Sequence, residues 1–129
     1  MTVQLWDETI PGGRTLAGSL TLNAGRVTVR ELLETRVLQE VERYNRSRGE
    51  TFQGLVQPEE SEQTLNGFRM KSRRPLDAAA QCRRACASFE QNGFLVLVDG
   101  EQVTALDAAV ELAADSEVEF VKLVPLIGG

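Results

Sequence analysis

Val3 and Leu5 alternate with polar neighbours, the period-two pattern of a half-buried strand. Pro11-Gly12-Gly13 marks a turn, after which Leu16, Gly18, Leu20 and Leu22 fall on one face at the same period. Together these predict a β-hairpin over about residues 2–22. The period then changes. Val29, Leu32, Leu33, Val37, Val41 and Tyr44 recur at three- and four-residue steps, an amphipathic helix. Thr28 followed three residues later by Glu31 has capping-box spacing, and Val27 and Leu32 stand where a hydrophobic staple would form. Arg30, Glu34, Arg36, Glu40 and Arg43 are expected to face water, and the pattern fades at 45–49.

Residues 50–74 have no clean period. Phe52, Leu55 and Val56 suggest a short strand, Pro58 to Glu62 an exposed acidic turn, and Asn66-Gly67 a further turn. A second helix is expected after Pro75, with Asp77 as N-cap and an apolar stripe of Ala79, Cys82, Cys86 and Phe89. Asn92-Gly93 should stop it. Phe94 to Val98 is an unbroken apolar run of strand length, expected to be covered on both faces. Asp99-Gly100 is a two-residue hairpin turn. Val103, Leu106, Val110 and Leu112 follow without a decisive period. Val118, Phe120 and Val124 then alternate along a last strand. No internal repeat, low-complexity tract or strong linker interrupts this order, so one domain over 1–129 is expected.

Composition narrows the chemistry. The chain has 129 residues, enough to bury roughly two thirds of its unfolded surface without a disulfide or metal staple. There is no histidine, which removes the commonest general base and metal ligand near neutral pH. Cys82 and Cys86 alone cannot complete a four-ligand zinc site. No isolated carboxylate in an apolar setting stands out. These features predict no catalytic residues, no metal and no bound cofactor. A net charge of −5 argues against general nucleic-acid binding. Neither a secretory leader nor a run of membrane-spanning length is visible, so a cytoplasmic location is expected.

The tail carries the most specific signal. The chain closes Glu117-Val118-Glu119-Phe120-Val121-Lys122-Leu123-Val124-Pro125-Leu126-Ile127-Gly128-Gly129. This segment, with Val96-Leu97-Val98-Asp99-Gly100 before it, resembles the last strands and tail of the small sulfur carriers of molybdopterin and thiamine synthesis. Leu5-Trp6-Asp7-Glu8-Thr9 and Thr28-Val29-Arg30-Glu31-Leu32-Leu33 resemble more closely the longer bacterial ubiquitin-like proteins, which are encoded beside an activating enzyme, a conjugating enzyme and a JAB-type metallopeptidase. The likeness covers 2–44 and 94–129 in outline and leaves 45–93 as an insertion. It implies an α+β class: a β-grasp mixed sheet of four or five strands packed on the first helix, with the second helix inserted.

The resemblance also implies a chemistry. A carboxylate is a poor electrophile, so an activating enzyme would use MgATP to adenylate the carboxylate of Gly129. A thiol or sulfur donor then captures the acyl-adenylate. Gly128 and Gly129 lack Cβ atoms and can thread a narrow channel. Pro125 stiffens the exit from the sheet, and Leu126 and Ile127 offer apolar grip to the activating enzyme. Three functions are in play. A modifier would be conjugated to amines of target proteins, in such operons for antiviral defence. A sulfur carrier would hold a thiocarboxylate at Gly129. A binding module would use its surface alone. The inserted residues 45–93 favour the modifier. Lys71 and Lys122 are the only lysines and hence the only side-chain acceptors for chains, so single attachment is the simpler expectation.

Three further features admit two readings each. Cys82 and Cys86 could be a sulfur-relay pair on one helix face, but read better as small core residues. Arg69, Lys71, Arg73 and Arg74 could dock an acidic patch, or be offset by Glu59, Glu60 and Glu62 as a solvated segment. Trp6 is either a surface anchor or packed by the inserted helix, with the second favoured.

Overall fold

The computed structural model describes residues 1–10, 12–23, 25–64 and 67–123, the last through its backbone. Its elements are β1 (Thr2–Ile10), β2 (Arg14–Thr21), β3 (Arg26–Thr28), α1 (Val29–Ser47), β4 (Thr51–Phe52), β5 (Ser61–Thr64), β6 (Gly67–Met70), α2 (Ala78–Glu90), β7 (Leu95–Val98), β8 (Glu101–Val103), β9 (Ala109–Glu111) and β10 (Glu117–Leu123). They make an α+β chain with a mixed sheet and two helices. The chain divides into two compact units, Met1–Leu32 with Ser88–Gly129, and Leu33–Ala87, the boundaries falling inside α1 and α2.

The first unit holds a five-stranded sheet in the order β2-β1-β10-β7-β8. β1 pairs antiparallel with β2 and parallel with β10, so the first and last strands lie side by side near its centre. Period-two alternation explains the buried face. Val3, Leu5, Leu20, Val96, Val118 and Phe120 are almost wholly buried, and the Phe94 ring lies 6.0 Å from Phe89 and 6.3 Å from Phe120. The run 94–98 is not covered on both faces as expected. Phe94, Val96 and Val98 are buried, whereas Leu95 is 36% exposed and Leu97 half-buried. A short antiparallel pair, β3 with β9, leads into α1.

The N-terminus of α1 is fully provided for within this unit. The backbone N–H of Glu31 donates to Thr28 Oγ1 at 3.1 Å, and the Thr28 hydroxyl donates to the Glu31 carboxylate at 3.2 Å. The N–H groups of Val29 and Arg30 donate to the carbonyls of Ala108 and Leu106. Helix-initial donors have no intrahelical acceptor, so these bonds replace the missing ones.

The second unit contains the three-stranded antiparallel sheet β4-β6-β5. Its strands are poorly marked in the sequence because most of β5 is exposed and polar. The predicted strand through Leu55 and Val56 stops at Phe52, and those two residues are buried in bends instead. The predicted turn at Asn66-Gly67 includes residue 66, outside the described residues; Gly67 opens β6. Phe52 anchors the interior, edge-on to Tyr44 at 5.7 Å and stacked with Phe68 at 6.5 Å.

Two helix faces differ from expectation. Arg36 and Glu40 do not face water. They are 4% and 8% exposed, and Glu40 Oε1 accepts the backbone N–H of Leu55 at 3.2 Å. On α2, Asp77 caps as predicted by accepting the Ala79 N–H at 3.1 Å. Ala79 itself is exposed, and Gln81 and Ala85 join Cys82, Cys86 and Phe89 on the buried face. Gln81 is tolerated there because its Nε2 donates to the Val56 carbonyl at 2.9 Å. At the end of α2, Asn92 takes φ 61°, Gly93 N–H returns to the Ser88 carbonyl and Asn92 N–H to that of Phe89. This is the Schellman pattern, so Asn92 holds the left-handed position.

Candidate functional site at the end of the last strand

β10 is built to be held in place. Its flanks are β1 and β7, with Val118 and Phe120 buried beneath. Its entry is fixed by Asp99, whose two carboxylate oxygens accept the Glu117 N–H at 2.9 Å and the Ser116 hydroxyl at 3.0 Å. Asp99 N–H in turn donates to the Glu117 carbonyl. Asp99 (φ 50°) and Gly100 (φ 83°) form the tight β7–β8 turn, with Val98 opposite Glu101, which requires positive φ at both positions. The predicted hairpin turn therefore has a second role, since the same aspartate positions the first residue of the last strand.

At its other end β10 runs beside β1 to the register Lys122↔Thr9 and Leu123↔Ile10. Val124, Pro125, Leu126, Ile127, Gly128 and Gly129 lie outside the described residues. Of the two lysines, Lys122 is half-buried, while Lys71 is exposed just after β6. They belong to different units.

The open face of the five-stranded sheet carries a cluster that the alternation of β1 and β10 could have signalled. Trp6 and Glu8 occupy alternate positions of β1, and Glu117 and Glu119 alternate positions of β10. Arg14, on the neighbouring β2, lies with its guanidinium 4.1 Å from the Trp6 ring centroid and 2.8 Å from Glu117 Oε2. Trp6 is half-buried under this cation. Glu119 is opposite Trp6 and hydrogen-bonds Glu8. Partial burial, that bond and the charges of Glu8 and Glu117 raise its carboxyl above the usual range, with Arg14 opposing them. Ile10, Leu16 and Leu95, three of the large exposed apolar side chains, belong to the same sheet.

Cys82 and Cys86 are both buried free thiols. Burial first, then the charges of Glu34 and Cys86, push the Cys82 thiol upward, away from the reactive thiolate. Among the described residues no group of three or more Cys, Asp or Glu is arranged to hold a metal ion, and no helix is long and apolar enough to cross a membrane. No known protein family, characterised protein or solved structure matches the chain.

Proposed function

We propose that the chain is a β-grasp protein modifier of the ubiquitin-like kind, conjugated through the carboxylate of Gly129 to amines of other proteins. One observation carries this reading: the sheet order β2-β1-β10-β7-β8, with the first and last strands parallel at its centre. A β-grasp sheet has this arrangement, and β10, whose end the proposed tail follows in sequence, is paired on both sides. A substrate tail needs such a mounting, because an enzyme channel can engage an extended segment only if the folded body does not block its entry. The reading requires Gly129 to bear a free carboxylate, as synthesised or after processing.

In this scheme the chain contributes no catalytic group. A partner activating enzyme consumes MgATP, forms the acyl-adenylate and releases pyrophosphate. A thiol of the partner displaces adenylate to give a thioester. A lysine ε-amine then displaces the thiol, leaving an isopeptide bond. A conjugating enzyme and a JAB-type deconjugating peptidase are the corresponding partners, the cytoplasm the corresponding compartment and antiviral defence the corresponding role. Gly128 and Gly129 are the conjugated end, Pro125, Leu126 and Ile127 the segment the activating enzyme grips, and Lys71 and Lys122 the available acceptors.

The test is mass spectrometry of the N-terminally tagged chain expressed with its neighbouring genes. The expected result is a set of higher-mass species in which Gly129 is joined to lysine of another protein, absent when Gly128 and Gly129 are deleted and reduced in Gly129→Ala. A sulfur-for-oxygen exchange at Gly129, without adducts, would instead assign the chain to sulfur transfer. An unaltered chain in the presence of a competent activating enzyme and MgATP would remove both chemistries.

A further inference from the structure

Charge is unevenly divided along this chain. Residues 33–87 hold ten of its fourteen Lys and Arg but eight of its nineteen Asp and Glu, a net +2, whereas the remaining residues carry −7. Within the basic unit, two segments far apart in sequence are tied together. Asn45, near the end of α1, donates from Nδ2 to the Leu76 carbonyl at 3.1 Å and accepts the Leu76 N–H at 2.8 Å. Five residues further on, the Glu50 carbonyl accepts the Met70 N–H at 2.7 Å. These bonds hold the end of α1, with Arg46 and Arg48, against the segment carrying Lys71, Arg73 and Arg74.

All five cationic side chains are exposed. Arg73 lies 3.7 Å from Glu50. Arg46, Arg48, Lys71 and Arg74 have no carboxylate partner among the described residues. Arg69, next along β6, is already engaged by Glu62. The acidic residues Glu59, Glu60 and Glu62, which could have offset the segment, are therefore only partly spent on it: Glu62 holds Arg69 and Glu59 lies 3.9 Å from Arg84 on α2. Of the five, Lys71 and Arg73 line a groove of about 330 Å³ together with Glu50, Arg69, Met70 and Ser72, while Arg74 lines a neighbouring one with Glu59, Glu60 and Asp77. One helix-terminal arginine is accounted for by the negative end of the α1 dipole. Four cations without a carboxylate partner among the described residues, carried by two segments that these bonds tie together, are not.

We propose that this surface of residues 46–48 and 71–74 is a docking site for a carboxylate-rich segment of a partner protein. Three of the four unpaired cations are arginines, whose planar guanidinium matches a carboxylate with two parallel hydrogen bonds. A nucleic acid fits less well. It would bring a dense line of phosphates towards a chain of net charge −5, and none of the named patch residues is an aromatic on which a base could stack. An acidic peptide presents fewer charges and reaches the patch without that penalty. The site is independent of the tail, so it stands or falls separately from conjugation through Gly129.

The experiment is fluorescence anisotropy of the full chain with a labelled poly-glutamate peptide, alongside a single-stranded and a duplex DNA probe, at low and at physiological salt. The patch variant is Arg48→Ser, Lys71→Ser, Arg74→Ser. The control is Arg26→Ser, Arg43→Ser, Arg83→Ser, which changes net charge equally at other places. Circular dichroism establishes that both remain folded. Expected are salt-sensitive binding of poly-glutamate, a loss of about tenfold or more in the patch variant and little change in the control. Equal losses in both variants would reduce the effect to bulk charge and overturn the site. Absence of peptide binding, or tighter binding of either DNA, would overturn the assignment to an acidic protein segment.

Discussion

Arg36 donates from Nε to Glu40 Oε2 across 3.2 Å, one turn apart on α1, and both side chains are buried. Glu40 also holds the Leu55 backbone through its other oxygen. Removing one member of such a pair leaves a buried charge without its partner, a loss far larger than that of an exposed pair. Glu40→Ala should lower the unfolding free energy by about 3–5 kcal/mol in urea titrations, since it removes both a buried carboxylate beside Arg36 and the acceptor of the Leu55 N–H. The double change Arg36→Met, Glu40→Leu should recover the part due to the buried Arg36 charge, leaving the cost of the Leu55 N–H without its acceptor. A cost for Glu40→Ala below about 1 kcal/mol would place the pair with ordinary surface ion pairs and refute its structural importance.

The same pair marks where the sequence stopped being readable. The apolar stripe of α1 was legible because Val29, Leu32, Leu33, Val37, Val41 and Tyr44 follow one period, and all six are buried. Arg36 and Glu40 fall within the same stripe, three and seven residues after Leu33, and only their charge pointed to water. The segment around Leu55, fifteen residues on from Glu40, supplies a polar partner that the sequence did not reveal. The hairpin β1–β2, both helices, the Asp99-Gly100 turn and the last strand carry local signals of period, cap or turn. The sheet β4-β6-β5 does not, because its strands are short and β5 has no buried position to alternate with. The proposed tail was visible as Pro125 to Gly129 but lies outside the described residues. The basic patch was half visible: Lys71 to Arg74 form a run, whereas Arg46 and Arg48 join it only through the Asn45–Leu76 bonds.

Asp99 should be sensitive to its carboxylate and its backbone together. Asp99→Ala removes the acceptors of the Glu117 N–H and the Ser116 hydroxyl and puts a β-carbon without a polar partner at φ 50°. The two effects should sum to about 2–3 kcal/mol, read by thermal or urea unfolding. Asp99→Asn tolerates the left-handed conformation and keeps one acceptor oxygen, so it should cost less than half as much. Equal losses in the two variants would mean that the turn conformation is not what Asp99 contributes.

Cys82 and Cys86 should behave as core thiols. Alkylation by iodoacetamide requires an exposed thiolate, and both conditions are opposed here by burial and by the raised Cys82 thiol. Native protein near neutral pH should react at least about tenfold more slowly than the same chain in urea, because modification has to await local opening. Rapid labelling of the folded protein would revive the sulfur-relay reading of the pair.

Glu119 gives the fold a pH dependence whose sign can be worked out. Its folded carboxyl is raised above the unfolded value by partial burial, by the hydrogen bond to Glu8 and by the charges of Glu8 and Glu117, against the pull of Arg14. The folded state therefore holds this proton more tightly than the unfolded state does. The resulting stabilisation is complete below the ordinary glutamate value and is lost as pH rises through the raised one. Once ionised, Glu119 is a charge kept beside like charges. Glu119→Gln resembles the protonated side chain in shape and can still donate to Glu8. The variant should melt higher than wild type at neutral pH, and the gap should close as the solution is acidified towards the ordinary glutamate range. Added salt should narrow it too, since the repulsion is partly exposed to solvent. A variant that melts lower at neutral pH, by a gap that closes on acidification, would show that the ionised Glu119 stabilises the sheet, reversing the sign derived from its surroundings.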